Sequence, residues 1–562
     1  MEKEQAQAPA SHGDAPLPEN EAPCFAIRQV RLTGPAGAPV PAALLRGLPQ
    51  ALGQRTETRA GRTHTVMDAP EGRCLGAQGV NIVLARAQNH LIARGYITSR
   101  VLAPEQDLKQ GELTLSVIPG YLADLRLAAP ESTAEQAHPQ TAAASATSAT
   151  ELPLRVRTAL PSKPGDLLNL RDIEQALENM KRVPSADADI QIAPGRQQGQ
   201  ITSGQSDLIV RYTRQRPVRA SLSLDDSGTD STGKYQASAS LSVDNPLRLN
   251  DMFYVSYTRA LGGGNPQTRG SRGTDAYNVH YSIPFGYWLL SGGFSKNNYH
   301  QTVAGAVQNY RYSGDSQSAE IALGRVLYRD ASRKTSLTLK GWGRSSHNYI
   351  DDVEIDVQRR RTAGWAVQLN HRQYFGATSL DITLGYKRGT GAFNARPAPE
   401  ELFDEGTSRF ALATADVQLN APFQLGAQRL RWNSQLRVQH NFTRLTVQDQ
   451  FSIGGRYTVR GFDGESSLMA ERGWLLRNEL GWMLGQSAQE AYLGIDHGRV
   501  GGPGSQWLPG KSLTGAVIGL RGQAPGWAHG LSYDVFVGTP VRKPAGFKTA
   551  KHAAGFSVNW TF

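Results

Sequence analysis

No stretch of the 562-residue chain approaches the roughly 18 consecutive apolar residues of a membrane-spanning helix, and only 39% of its residues are hydrophobic. That excludes a helical membrane protein but not a membrane protein. A barrel strand crosses with about 9–11 residues, only every second one apolar, and such strands escape a hydropathy scan. Cysteine is nearly absent, with Cys24 and Cys74 the sole pair. The chain is therefore no disulfide-dense scaffold, and its His and Cys residues offer no zinc spacing. One disulfide between the two is the reading for an exported chain, with two unrelated thiols as the alternative. Closing such a loop stabilises a domain by roughly 4 kcal/mol in the chain-entropy model. No secretory leader is visible, because Met1 is followed by Glu2, Lys3 and Glu4. An exported chain that starts this way is expected to be a mature one. The net charge of +11 is spread along the sequence. It fits a water-filled lumen or anionic lipid headgroups better than nucleic acid.

What is present falls into four segments. Residues 1–22 are polar and rich in Pro and Ala, as expected of a linker or a truncated plug segment. Residues 23–122 read strand (Phe25 to Leu32), short helix (Ala42 to Leu52), longer helix, strand (Tyr96 to Leu102) and strand (Glu112 to Ile118). In the longer helix Val80, Val83, Leu84, Ala87 and Leu91 form one face, and Gly95 stops it. Residues 123–216 repeat the order: a strand from Ala123, an Ala/Ser/Thr-rich insertion around Thr141, and a short helix near Leu154. A helix capped by Asn169 follows, with Leu170, Ile173, Leu177 and Met180 on its stripe, and then strands Ala188 to Ala193 and Asp207 to Thr213. These are two small α+β modules.

From residue 217 to 562 helical patterns stop. Phe253, Val255 and Tyr257 alternate with polar neighbours, as do Tyr277, Val279 and Tyr281. Leu380, Ile382, Leu384 and Tyr386 do the same, and so do the closing Phe556, Val558, Trp560 and Phe562. An apolar, aromatic face opposite a polar one describes a lipid-out, water-in barrel, and lipid requires it to close. The length divided by a strand and its turn gives about 14–18 strands, and the even-number preference settles on 16. The fold class is thus an all-β transmembrane barrel of 16 antiparallel strands behind two α+β modules. A soluble β-sandwich or solenoid alternates too, but its aromatics have no reason to fall on the apolar face near strand ends.

Enzymatic motifs are scarce, and no catalytic, cofactor or metal site is expected. Gly510-Lys511-Ser512 lacks the strand-then-helix context of a phosphate loop. Asp351, Asp352, Glu354 and Asp356 precede Arg359-Arg360-Arg361 and are expected to neutralise them. One segment stands apart: Gly454-Gly455-Arg456-Tyr457-Thr458-Val459-Arg460-Gly461-Phe462. Downstream, Leu493 and Ile495 share one strand face, and Tyr492, Gly494 and Asp496 share the other. If Leu493 and Ile495 meet lipid, Asp496 points into the lumen, where it suits an arginine on a folded-in loop. Periodicity alone leaves ordinary lumen charges as an alternative.

At these residues the chain resembles the two-partner secretion transporters, the TpsB proteins. These include haemolysin-activating, filamentous-haemagglutinin and contact-dependent-inhibition (CdiB-type) transporters. The resemblance is carried by Cys24 to Ile27, Arg94 to Val101, Ser452 to Gly461, Glu471 to Trp474 and Gly494 to Gly498. It implies two periplasmic POTRA domains and a 16-stranded outer-membrane barrel. It also implies a sixth surface loop folded into the lumen with Val459, Arg460, Gly461 and Phe462 at its tip and Asp496 as the wall partner of Arg460. Phe462 stands where Tyr also occurs, and Gly494 where many members carry Phe. Trp560 and Phe562 look like the C-terminal signal read by the barrel-assembly machinery. The implied function is export of one large secreted partner, a haemolysin, adhesin or contact-dependent growth-inhibition toxin, captured through its N-terminal secretion domain. Outer-membrane lipid and periplasmic chaperones are the other implied partners. The alternative is an outer-membrane protein insertion factor of the same superfamily; such factors usually carry three or more POTRA modules, against two here.

Overall fold

The computed structural model describes residues 12–59, 62–128, 153–197, 200–262, 270–524 and 530–562. The chain forms two compact units, Met1–Arg214 and Gln215–Phe562. The start of the N-terminal segment and the Ala/Ser/Thr-rich insertion lie outside the described residues.

In the first module Gln29–Thr33, Glu112–Ile118 and Arg100–Leu102 form a sheet in that order. The alternation read from sequence is strict: Leu113, Leu115 and Val117 are fully buried. They pack under the helix Ala77–Ala93 through Val83, Ala87 and Leu91. The expected short helix is two, Ala42–Leu45 and Leu48–Leu52, parted by Gly47 in the left-handed region (φ +75°). The strand expected from Tyr96 shrinks to Arg100–Leu102. A hairpin, Gln54–Arg59 with Arg62–Met67, was not foreseen, since its residues are mostly polar. Cys24 and Cys74 are disulfide-bonded across the strand pair Phe25–Ala26 and Cys74–Leu75.

The N-terminal segment is not a free linker over its described part. Leu17 is buried in the first module's core. The Glu21 carboxylate accepts N–H bonds from Gly76 (2.7 Å), Gln78 (2.6 Å) and Gly79 (3.0 Å), capping the long helix where its dipole favours an anion. The anchor is Arg86, whose five N–H bonds are all used. It donates to the carbonyls of Gly13, Ala15, Leu52 and Asp68 and, at 2.5 Å, to the Asp68 carboxylate. Burial pushes the Asp68 carboxyl up, but hydrogen bonds from Arg86 and the Leu17 N–H outweigh it and hold Asp68 below its ordinary value. A depressed carboxyl stabilises the fold above its unfolded pKa of about 3.9, and that contribution vanishes as pH falls through the folded value. Arg86→Met leaves the buried Asp68 carboxylate to Arg73 (2.9 Å) and the Leu17 N–H and takes the donor from four carbonyls, a loss of about 3 kcal/mol. Amides of Ala77–Ala93 in the full-length variant are expected to exchange hydrogen on the order of a hundredfold faster; unchanged exchange would contradict the anchor.

The second module's sheet runs Tyr121–Leu127, Gln200–Arg214, Ala186–Gln197. Against it lie Leu154–Ala159 and Leu170–Met180, the latter capped as expected by Asn169, whose side chain accepts the Arg171 N–H. The same Asn169 joins the modules. Its amide donates to the Arg94 carbonyl (3.1 Å), and the Leu170 N–H donates to that of Gly95 (2.8 Å). Gly95 is thus more than a helix stop, because a Cβ there would meet Asn169 Oδ1 at 2.2 Å.

The second unit is a closed antiparallel barrel of sixteen strands. Strand 1 (Val218–Asp225) closes on strand 16 (Ala553–Thr561) from Ser221 opposite Thr561 to Asp225 opposite Ser557. The Phe562 N–H adds a bond to the Ala220 carbonyl, and the rings of Trp560 and Phe562 lie 4.5 Å apart. One end carries tight turns, such as Gly376-Ala377 between Phe375 and Thr378, where Gly376 (φ +61°) takes the first turn position. The other end carries long connections, as in bacterial barrels with short periplasmic turns and long surface loops. Strands 5 to 7 (Trp288–Ala304, Asn309–Arg329, Arg333–Ile350) far exceed the length needed to span.

Candidate functional site

The connection from strand 11 (Gln428–Asn441) to strand 12 (Arg472–Met483), the sixth on the long-loop side, turns inward. It narrows to a short hairpin, Phe451–Ile453 with Leu468–Ala470. Beyond it, Gly454 takes φ +116°, and its N–H donates to Thr458 Oγ1. Phe451, Ile453, Val459, Phe462 and Leu468 then share an apolar cluster with Leu475, Val500 and Leu513 of the wall. Phe462 meets Phe547 edge-on at 5.7 Å. Burial of an unadorned phenyl ring agrees with Phe rather than Tyr at this position.

Arg460 sits at the tip, buried, and its guanidinium donates to two carboxylates. Its Nε and Nη2 donate to the two oxygens of Asp496 (2.7 and 2.9 Å), a bidentate fork. Its own N–H adds a third bond to Asp496 (3.0 Å), and Nη1 donates to Glu479 (2.6 Å). Asp496, on strand 13 (Gln489–Gly501), is fully buried, while Leu493 and Ile495 of the same strand are more than half exposed on the outer face. The facing read from sequence is the one observed. Arg521 of strand 14 (Ser512–Gln523) bridges Glu479 (2.6 Å) and Glu490 (2.7 Å), and Arg431 reaches Glu490 as well. Arg477 lies 3.8 Å from Asp496. Low dielectric makes such a network costly to break, since removing one member leaves a buried charge uncompensated.

The wall makes room for the tip with glycines. A Cβ at Gly515 would lie 1.8 Å from the Arg460 carbonyl oxygen, and one at Gly538 2.7 Å from the Gly461 Cα. At Gly498 a Cβ would meet Ile453 and Val459 at 2.9 Å. Gly494, where the resemblance led to an expectation of Phe in many members, would set a Cβ 2.6 Å from Arg460 Nη2. Gly461 itself has φ +94°, which a side chain resists.

Two further anchors hold the loop. Asp449 at its stem accepts from Arg344 (2.8 Å) on strand 7 and Lys387 (3.1 Å) on strand 9 (Thr378–Thr390). Arg456 donates to Asp226 (2.8 Å), just past strand 1, and to the Phe556 carbonyl of strand 16, so the loop grips both sides of the closing seam. Periodicity did not single out Glu479, Arg521, Asp449 or Gly515. The available signal was isolated glycines within strand patterns, which mark close backbone approach.

Fold and site together define a class: an outer-membrane barrel with POTRA modules whose lumen holds an arginine-tipped surface loop. Residues 204–522 match the haemolysin secretion/activation proteins ShlB/FhaC/HecB, 53–120 a ShlB-type POTRA domain and 140–194 a POTRA domain. The chain belongs to this ShlB/FhaC/HecB family of two-partner secretion transporters. It is 35% identical over 562 residues to the outer membrane transporter CdiB-2 of Burkholderia pseudomallei strain 1026b, covering 99% of this chain and 90% of that one. Its fold is similar to solved CdiB from Acinetobacter baumannii, with TM-score 0.78, 29% identity and coverage of 97% and 91%. It is also similar to CdiB from Escherichia coli, with TM-score 0.77, 26% identity and coverage of 98% and 94%.

Proposed function

We propose that this transporter exports one large partner exoprotein of the contact-dependent growth-inhibition toxin, adhesin or haemolysin kind, and that the Arg460 seat is required for export. The Arg460–Asp496–Glu479 cluster carries the reading, because it seats a surface loop in the lumen of a barrel that two POTRA modules precede, and a diffusion porin has no such modules. The partner's N-terminal secretion domain docks as an extended chain on POTRA strand edges, of which Ala186–Gln197 is the longest. The partner threads the lumen and folds outside, and that folding biases the movement. Chaperones and the barrel-assembly machinery act earlier, on the transporter itself, through a C-terminal signal at Trp560 and Phe562.

The test is to look beside this chain's gene for one that encodes a very large secreted protein, co-express that protein with the transporter and assay it in the medium. Secretion that depends on the transporter is expected. Equal secretion without it would overturn the assignment.

A further inference from the structure

The run Arg359-Arg360-Arg361 was expected to be neutralised by the acidic residues before it, and two of the three are. Arg359 is held by Glu354 and Asp356, and Arg360 by Glu400. Arg361 is exposed and, among the described residues, has no carboxylate at ion-pair distance. The same holds for Arg396 of the connection after strand 9, whose N–H bonds the Arg361 carbonyl (2.8 Å) and so fixes the two side by side.

Their position follows from register. Ile321, Gly341 and Trp365 form one cross-strand row, and Ile321 (61% exposed) and Trp365 (42%) mark it as lipid-facing. One step toward the surface, Phe294, Ala319, Gly343 and Ala363 align on the same face, and one step further Lys296, Gln317, Ser345 and Arg361. The outer wall therefore reads apolar, then small, then cationic. The small row and the arginines line one open recess of about 490 Å³. Beside it Trp365, Tyr386 and Phe442 form a run of rings, with neighbouring centroids 5.6 and 6.1 Å apart, as residues of the membrane interface do. Two guanidiniums with no carboxylate at ion-pair distance among the described residues, Glu354 acting on Arg396 only from further off, lie just above an aromatic belt on the side of the long loops, at the level of the outer-leaflet headgroups.

We propose that this recess binds the phosphate-bearing headgroup of an outer-leaflet glycolipid. Arg361 and Arg396 grip a phosphate, and an acyl chain lies over Ala319 and Gly343 against Phe294. Guanidinium forks suit phosphate oxygens, and partial exclusion of water strengthens them. Seated there, the lipid would hold the connection carrying Arg396 against strand 8 (Arg360–Phe375).

The test uses the full-length protein in detergent, with native mass spectrometry as the readout. The probes are bis-phosphorylated lipid A, its dephosphorylated form and inorganic phosphate. Lipid A is expected to stay bound, and the double variant Arg361→Ala/Arg396→Ala to bind it on the order of tenfold more weakly or worse. Dephosphorylated lipid is expected to bind no better to the wild type than to that variant. Should the alanine variant fail to insert, Arg361→Lys/Arg396→Lys keeps the charge and loses the fork, and several-fold weaker binding is expected. Equal lipid A binding by an inserted variant, or equal binding of the dephosphorylated form, overturns the proposal. So does displacement of lipid A by inorganic phosphate at matching concentration, which would make the recess a free-phosphate site.

Discussion

Arg460→Ala is expected to abolish export, or nearly so, while the barrel still inserts. The variant removes the guanidinium that, alone among the described residues, bonds both Asp496 and Glu479, and Asp496 is completely buried. A buried carboxylate left without its partner costs about 3–5 kcal/mol, enough to depopulate the seated tip by two to three orders of magnitude. The strands that meet lipid are untouched, so insertion should survive, and the heat-modifiable migration of a folded barrel in gels would show it. Arg460→Lys is expected to rescue poorly. An ammonium can neutralise one carboxylate, but it cannot fork Asp496 while also reaching Glu479. Asp496→Ala should resemble Arg460→Ala, because it removes the same fork from the other side.

Gly515→Val is expected to match that loss with every charge in place. The position lies within strand 14 at a register shift between Thr514 and Gly515, and its φ is not in the left-handed region, so valine is tolerated by the local backbone and the barrel should form. Its Cβ would nevertheless fall 1.8 Å from the Arg460 carbonyl oxygen, a distance no rotamer can relieve because the obstacle is backbone. The tip must lift, and the bidentate pair is lost for steric reasons alone. Secreted exoprotein in the medium of the variant is the measurement. Export at the wild-type level would show that the guanidinium is needed but that a tight seat is not.

The sequence revealed whatever short-range periodicity could encode. Leu113, Leu115 and Val117 were legible as one buried face, Asn169 as a helix cap and Asp496 as a lumen-facing carboxylate, because each rests on spacings of two to four residues. Arg460 with Asp496 needed more. Periodicity placed the carboxylate, and only the resemblance brought in the loop. What stayed hidden depends on closure over long distances. Glu479 and Arg521 are 42 residues apart and meet across strand 13 because strands 12 and 14 both turn these side chains inward. Arg86 is not on the apolar face that the spacing picks out, yet it is buried, because the N-terminal segment supplies carbonyls from more than 70 residues away. That segment was read as a linker for the same reason. Its Pro and Ala content says nothing about a surface waiting to receive Leu17. The hairpin Gln54–Met67 escaped because its alternation is polar on polar, which carries no burial signal.

The most direct test of the loop seat is an export double-mutant cycle on Arg460→Ala and Asp496→Ala, each variant confirmed as an inserted barrel and co-expressed with the exoprotein. If the two residues act as one seat, the double variant exports no less than either single one, since the second substitution removes a partner already lost. Additive losses, or normal export by either single variant, would contradict it.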